Sequence, residues 1–265
     1  MNPIVNEPQG GARPRVLPIG IRARQFLLIA LVLLPMIFLL AWTNHQRYES
    51  LRENELRTEE KVAQGTANTF ATHVRGIRQH LFATGQAMLR LSPYTPAQAT
   101  ELLTATATHF PTIHQLSWAN PAGKILFSSQ PKAVGRTIGA SPYFQEIVAG
   151  KPWVISDLFQ GSLQGDPFFA IAVPVEDENG DLRGVLVAGI GPEEVGAMTI
   201  PQDRRAGAAA IFDAQGVIVH FSPAASLSWE DRLLWRESDP LLRQALATGQ
   251  VQTGLMTPAM LNGEW

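Results

Sequence analysis

The chain of 265 residues has no cysteine. That excludes disulfides, thiolate metal sites and a cysteine nucleophile, and leaves the compartment open. Charge is also scarce. Only 17% of residues are charged and the net charge is −2, so no basic field points to nucleic acid. No HExxH, GxSxG or P-loop pattern occurs, and no pair of carboxylates stands out for acid-base work, so no catalytic residue is assigned. The six histidines form no ligand pattern: His73 and His80 share a helix face, but no carboxylate lies four residues from either. Neither a metal nor a cofactor is expected.

What is present is unevenly distributed. Residues 26–42, FLLIALVLLPMIFLLAW, carry neither charge nor a polar side chain. With Gln25, Thr43 and Asn44 the run reaches ~20 residues, enough to cross ~30 Å of hydrocarbon. Arg13, Arg15, Arg22 and Arg24 precede it and mixed signs follow it. By the positive-inside rule, residues 1–24 are then a cytoplasmic tail, 25–44 a transmembrane helix in the inner (plasma) membrane, and everything from about 45 extracytoplasmic. The competing reading is a cleaved signal peptide; its apolar core would be unusually long and no A-x-A pattern follows Trp42.

Residues 45–91 contain no proline and three glycines, and favour a long stalk helix. An apolar seam recurs at spacings of four and three through Ala63, Ala67, Phe70, Val74, Ile77, Leu81, Thr84, Met88 and Leu91. Such a seam either packs on its own domain or pairs with a twin helix in a homodimer. Ser92-Pro93 ends it.

Past Thr95 the texture becomes α+β. A second helix spans about 96–108. LSWAN and KILFSS flank Pro121-Ala122-Gly123 as a hairpin. SPYFQEIVAGKPWVISD (141–157) reads as helix, glycine corner and strand. PFFAIAVPVED and LRGVLVAGI flank an Asn-Gly turn, and the continuous apolar centre of the first predicts burial on both faces. The sum is a largely antiparallel sheet of about five strands.

The pattern then repeats. SWANPAGKILFSS (117–129) is echoed by AIFDAQGVIVHFS (210–222), and PYFQEIVAGKPWV (142–154) by PLLRQALATGQVQT (240–253). The second copy reaches LNGEW (261–265), the turn expected before its last two strands, and is read as truncated. This gives a first, membrane-distal unit over 92–200 and the start of a second, membrane-proximal one over 207–265.

An anchor, a long helix and two tandem PAS-like units resemble the double Cache extracytoplasmic sensor family. The carrying residues are WANPAGKILFSS, VGRTIGASPYFQEIVAGKPWVISD and GDPFFAIAVPVEDENGDLRGVLVAGI. The resemblance implies a membrane-anchored sensor. Its first unit would bind a small molecule and feed a histidine kinase, chemoreceptor or cyclic-dinucleotide enzyme, none of which this chain contains. For members that bind amino acids, it implies a ligand carboxylate held by an arginine before the aromatic pair and an ammonium held by an aspartate in the last strand. Ser141 and Gly189 stand at those positions, so the ligand is expected not to be a free α-amino acid; a carboxylate held by Arg136 or Lys151, or a neutral molecule, remains. The pocket candidates are Tyr143, Trp153, Ser156, Asp157, Phe159 and Arg136, since an aromatic corner beside Ser-Asp supplies both apolar wall and polar anchors. Phe168, Phe169 and Ile171 read as core. The alternatives are an extracytoplasmic enzyme and a structural or adhesive ectodomain.

Overall fold

The computed structural model describes residues 21–90, 95–161, 165–199, 209–222, 227–238 and 240–249. Residues 1–20 of the tail expected over 1–24, the Ser92-Pro93 break, the stretch between the two expected units and the LNGEW end lie outside them. The chain divides into two compact units, 1–57 and 58–265.

Helix α1 is continuous from Ile21 to Arg90. Within the first unit it carries the apolar run, with Ile29, Leu31, Leu34, Phe38 and Trp42 all more than half exposed. The span expected over 25–44 is thus helical throughout. Among the described residues, however, no helix is long and apolar enough to cross a membrane; side chains at 26–28 and 30 are outside the described set.

In the second unit α1 uses one stripe. Val74, Ile77, Leu81, Thr84 and Met88 are buried, at the three-and-four spacing that keeps one helical face inward. The four apolar ones, Val74, Ile77, Leu81 and Met88, join Leu116, Trp118, Ile171, Val173 and Leu186 in the larger hydrophobic cluster. This part of the seam therefore packs on its own domain, whereas Ala63 and Ala67 are exposed. Helix α2 (Pro96–His109) starts with proline at its first turn and a capping box. Thr95 Oγ1 accepts from Gln98 N, and Gln98 Oε1 accepts from Thr95 N, which satisfies two end groups of the helix. Ala99 and Leu103 face the same core.

The sheet comprises β1 (Ile113–Ala119), β2 (Ile125–Ser128), β3 (Val154–Ile155), β4 (Phe159–Gln160), β5 (Pro167–Glu176) and β6 (Leu182–Ile190). Its order is β2-β1-β6-β5-β3, with β4 also paired to β5, and every pairing is antiparallel. Six strands replace the expected five because the stretch after the glycine corner forms two short strands rather than one.

Strands β5 and β6 are buried on both faces, and the faces differ. Phe169, Ile171, Val173, Leu186 and Ile190 point into the cluster under α1 and α2. Ala170, Ala172, Val185 and Val187 point to the other side, where Tyr143, Phe144 and Ile147 of α3 (Pro142–Val148) cover them. Large residues on one face and small ones on the other leave room under α3.

The internal repeat is visible in the backbone. β1–β2 turns at Asn120, whose Oδ1 accepts Lys124 N. β7 (Ala209–Phe212) and β8 (Ile218–Ser222) turn at Asp213, whose Oδ1 accepts Val217 N. The third residue after each is a glycine with positive φ, Gly123 at 82° and Gly216 at 78°, the conformation a glycine adopts without penalty. Each hairpin also shifts register one residue before its turn, at Trp118/Ala119 and Ile211/Phe212. Likewise α3 and α6 (Pro240–Thr248) both begin at proline and end beside a positive-φ glycine, Gly150 and Gly249. Helices α4 (Pro192–Thr199) and α5 (Trp229–Ser238) complete the described elements.

Candidate ligand-binding site

Under α3, two cavities share Tyr143 as a wall. Tyr143 enters from the second turn residue of α3 and is 5% exposed. Its ring stacks on Phe159 at 5.9 Å, and Phe159 meets Phe168 at 4.3 Å. Burial raises the Tyr143 hydroxyl above its usual pKa, partly offset by a hydrogen bond from the Ser141 side chain. Ser141, placed where a charge was looked for, thus steadies the tyrosine.

The smaller cavity, about 140 Å³, lies over the β1–β6–β5 surface. It is close to the ~150 Å³ that accommodates a benzene-sized molecule. Gly189 forms part of its floor, and Arg136, Asp166, Gln115 and His114 bring polar groups to its walls. Arg136 Nε donates to Lys132 O at 3.2 Å, which ties the guanidinium stem to the 3-10 turn Pro131–Ala133. Beneath the polar side runs a chain of short bonds. Gln115 Nε2 donates to Ser117 Oγ at 2.8 Å, and Ser117 and Ser128 hydroxyls meet at 2.9 Å. Both serines are buried, so this chain fixes the Gln115 amide before any ligand arrives.

The larger cavity, about 290 Å³, is bounded by α3 and the β3–β4 stretch. Glu146, Asp157 and Phe159 line it. The Asp157 carboxyl is raised above its ordinary range, chiefly by desolvation and then by the Asp213 and Glu146 carboxylates; hydrogen bonds from Gln215 and the Ala214 backbone oppose the shift. Ser156 also lines this cavity, but its hydroxyl is spent on the scaffold: it accepts Ala170 N and donates to Asp157 O, both at 2.8 Å. Lys151 is paired with Glu146 at 2.6 Å, so it lines neither cavity as the free carboxylate anchor that the sequence allowed.

Five of the six sequence candidates, Arg136, Tyr143, Ser156, Asp157 and Phe159, line one or both cavities. Trp153 does not. It packs against the cluster under α1, with the Arg78 guanidinium carbon 5.1 Å from its ring centre. The period-two alternation of an extended segment puts it on the opposite face from Val154. Sequence reading passed over Gln115, His114, Asp166 and Phe168. Phe168 was read as core because its strand is apolar throughout; the Gly-Asp-Pro turn before β5 was the available signal for Asp166.

The ground for excluding a free α-amino acid does not survive this arrangement. Arg136 and Asp166 line one cavity, and Glu146 and Asp157 line its neighbour. Opposite charges are available from loop positions even though Ser141 and Gly189 stand where the resemblance implies an arginine and an aspartate. Among the described residues no group of three or more histidine, cysteine or acidic side chains could hold a metal ion.

The fold is shared with known sensors. The sensory domain of the Campylobacter jejuni chemoreceptor Tlp3, solved with isoleucine bound, superposes with a TM-score of 0.56 at 16% identity; the match covers 78% of this chain and 85% of that one. The extracellular domain of the putative histidine kinase rpHK1S-Z16 gives 0.55 at 18%, covering 69% and 78%. An extracellular ligand-binding receptor from Desulfohalobium retbaense DSM5692 gives 0.49 at 13%, and the match covers 60% of this chain but only 30% of that receptor. No curated protein sequence matches the chain. The Cache domain family model matches residues 47–260, the span that holds the lower part of α1, the six-stranded sheet and the second hairpin, and the chain belongs to the Cache domain family.

Proposed function

We propose that this chain is the sensory region of a membrane-anchored, extracytoplasmic receptor for a small molecule. The observation that carries the reading is the pair of cavities meeting at Tyr143, with Arg136 and Asp166 on one and Asp157 on the other. An apolar aromatic wall with a few convergent polar groups is what a small-ligand site requires. Charges of both signs suit a dipolar ligand, its carboxylate toward Arg136 and a cationic or hydrogen-bond-donating group toward a carboxylate. The cavity size favours a compact ligand over a peptide or lipid.

The anchor is proposed over 25–44, with 1–24 cytoplasmic and the remainder outside; the uncharged run at 26–42 and the exposed apolar side chains of α1 support it. We further propose a stalk over 45–91, a ligand-binding unit over 92–200 and a second unit from 207 onward. Exposed Ala63 and Ala67 support a homodimer through the upper stalk. Output through a kinase, chemoreceptor or cyclic-dinucleotide module would lie outside the chain described.

The test is thermal unfolding of the detergent-solubilised full chain against a panel of L-amino acids and small carboxylic acids. A compound present at a hundredfold excess over its Kd should stabilise by about 2.7 kcal/mol. Arg136→Ala should abolish that stabilisation while leaving the unliganded melting temperature close to wild type. If no compound shifts the wild-type protein, or if the shift persists unchanged in Arg136→Ala and Tyr143→Ala, the assignment of these cavities is wrong.

A further inference from the structure

His114 takes part in two structures at once. On β1 it lines the smaller cavity beside Gln115. Its Nε2 also lies 2.6 Å from the carboxylate of Glu194, the third residue of α4. The preceding residue, Glu193, turns the other way. One of its oxygens meets His220 Nδ1 at 3.1 Å, and the other accepts from Arg232 Nη2 at 2.8 Å. His220 is on β8 and Arg232 on α5. Arg232 is only 2% exposed, and its Nη1 donates to the carbonyls of Ile218 and Val219 at 3.0 and 2.6 Å. Two consecutive glutamates therefore bind the cavity wall to the second hairpin.

Two glycines let α4 approach both histidines closely. Gly191, just before α4, lies so close to His114 that an added Cβ would come within 2.8 Å of the imidazole Cε1. Gly196, within α4, leaves a space of the same kind for His220, whose ring a Cβ would meet at 2.1 Å. The buried His220 ring thus fills the space beside Gly196, while the half-exposed His114 ring rests against Gly191 on one side only. The joint is also incompletely satisfied: among the described residues, Glu194 Oε2 and Arg232 Nε are buried with no hydrogen-bond partner. Unpaired buried groups of this kind are costly, and a second arrangement that paired them would recover that cost. A coupling element needs two such arrangements.

We propose that His114 is a ligand-sensing residue and that α4 relays its position to β8 and α5 through Glu194 and Glu193. The inference rests on reading the smaller cavity as a ligand site. A ligand that contacts the His114 imidazole competes with, or tightens, its contact with Glu194, and α4 carries the change to the second hairpin. Glu194 acts as a positioning residue, since it touches the imidazole and not the cavity.

Hydrogen–deuterium exchange of the detergent-solubilised full chain tests this without a known ligand. His114→Gln and Glu194→Gln should each speed exchange over residues 209–222 by roughly two- to tenfold, as Glu193→Gln should by direct contact. Lys124→Ala, on the first hairpin and in neither cavity, should leave 209–222 unchanged. Unaltered protection there in both His114→Gln and Glu194→Gln overturns the relay, and so does an equal rise in Lys124→Ala, which would mark general loosening. The ligand panel reads the cavity assignment separately. Any panel compound that stabilises the wild type should alter exchange over 209–222 in wild type and not in Glu194→Gln; alteration in both proteins, or in neither, overturns the sensing role.

Discussion

The seam of α1 can be tested for what it packs against. Leu81 is fully buried, one helical turn from Ile77 and surrounded by Leu116, Ile171, Val173 and Leu186 in the core cluster. Leu81→Ala removes three carbons. At about 0.8 kcal/mol per buried methylene the transfer loss is near 2.4 kcal/mol, and the cavity left behind raises the total to about 2.7–5 kcal/mol. With a urea slope of ~2 kcal/mol per molar, the unfolding midpoint should fall by roughly 1.4–2.5 M. The neighbouring Phe82 is 57% exposed, so Phe82→Ala should stay within about 0.5 kcal/mol despite removing more carbon. The assay is urea unfolding of the full chain in detergent, followed by far-ultraviolet circular dichroism at two protein concentrations tenfold apart. A loss below 1 kcal/mol in Leu81→Ala, or a loss that depends on protein concentration, would refute the argument, because the seam would then be stabilised by a second chain rather than by its own sheet.

Three further outcomes follow from the packing and the charges. Gly184→Ala should destabilise the protein, because a Cβ at that position meets the Trp118 ring at 2.7 Å and the Ala119 carbonyl at 2.8 Å; an overpacking cost of roughly 1–3 kcal/mol should appear in the same urea assay, and Gly180, with open space around it, serves as a poor comparison only because its φ is 83°. Asp157 has a folded pKa raised above the ordinary value near 3.8, so it binds protons more readily when folded. Its stabilising contribution is complete below that value and is lost as pH rises through the raised one; Asp157→Asn should flatten that decline in a melting-temperature profile, and a profile parallel to wild type would contradict it. His73, whose pKa is lowered by burial and whose Nε2 lies 2.9 Å from Thr112 Oγ1, is shifted the opposite way for a base. Stability should fall as pH drops through the ordinary histidine value near 6.5, and His73→Gln should remove that component.

The strands of the sheet, the hairpins and the repeat were legible because they rest on local chemistry. Asn120 and Asp213 announce their turns, Gly123 and Gly216 accept the positive φ those turns need, and the unbroken apolar centre of β5 requires cover on both sides. The stripe from Val74 to Met88 likewise shows that α1 buries one face. Whether that face meets its own sheet or another chain is not a local property. It was decided by Leu116, Ile171 and Leu186, which come from strands far along the chain. The site divides in the same way. Tyr143, Asp157 and Phe159 were readable as an aromatic corner with polar groups beside it. Trp153 belongs to that corner in sequence but faces α1 in space, because one residue of extended chain reverses the side chain. Arg136 and Asp166 are thirty residues apart, and no spacing rule connects them; they line one cavity because β1, β6 and β5 are paired side by side, with Gly189 in its floor. The sequence alone determined which segments form strands and turns, since those choices are made within a few residues. Only the tertiary structure decided which charges share a cavity and which glutamate meets which histidine, since those depend on the register between strands.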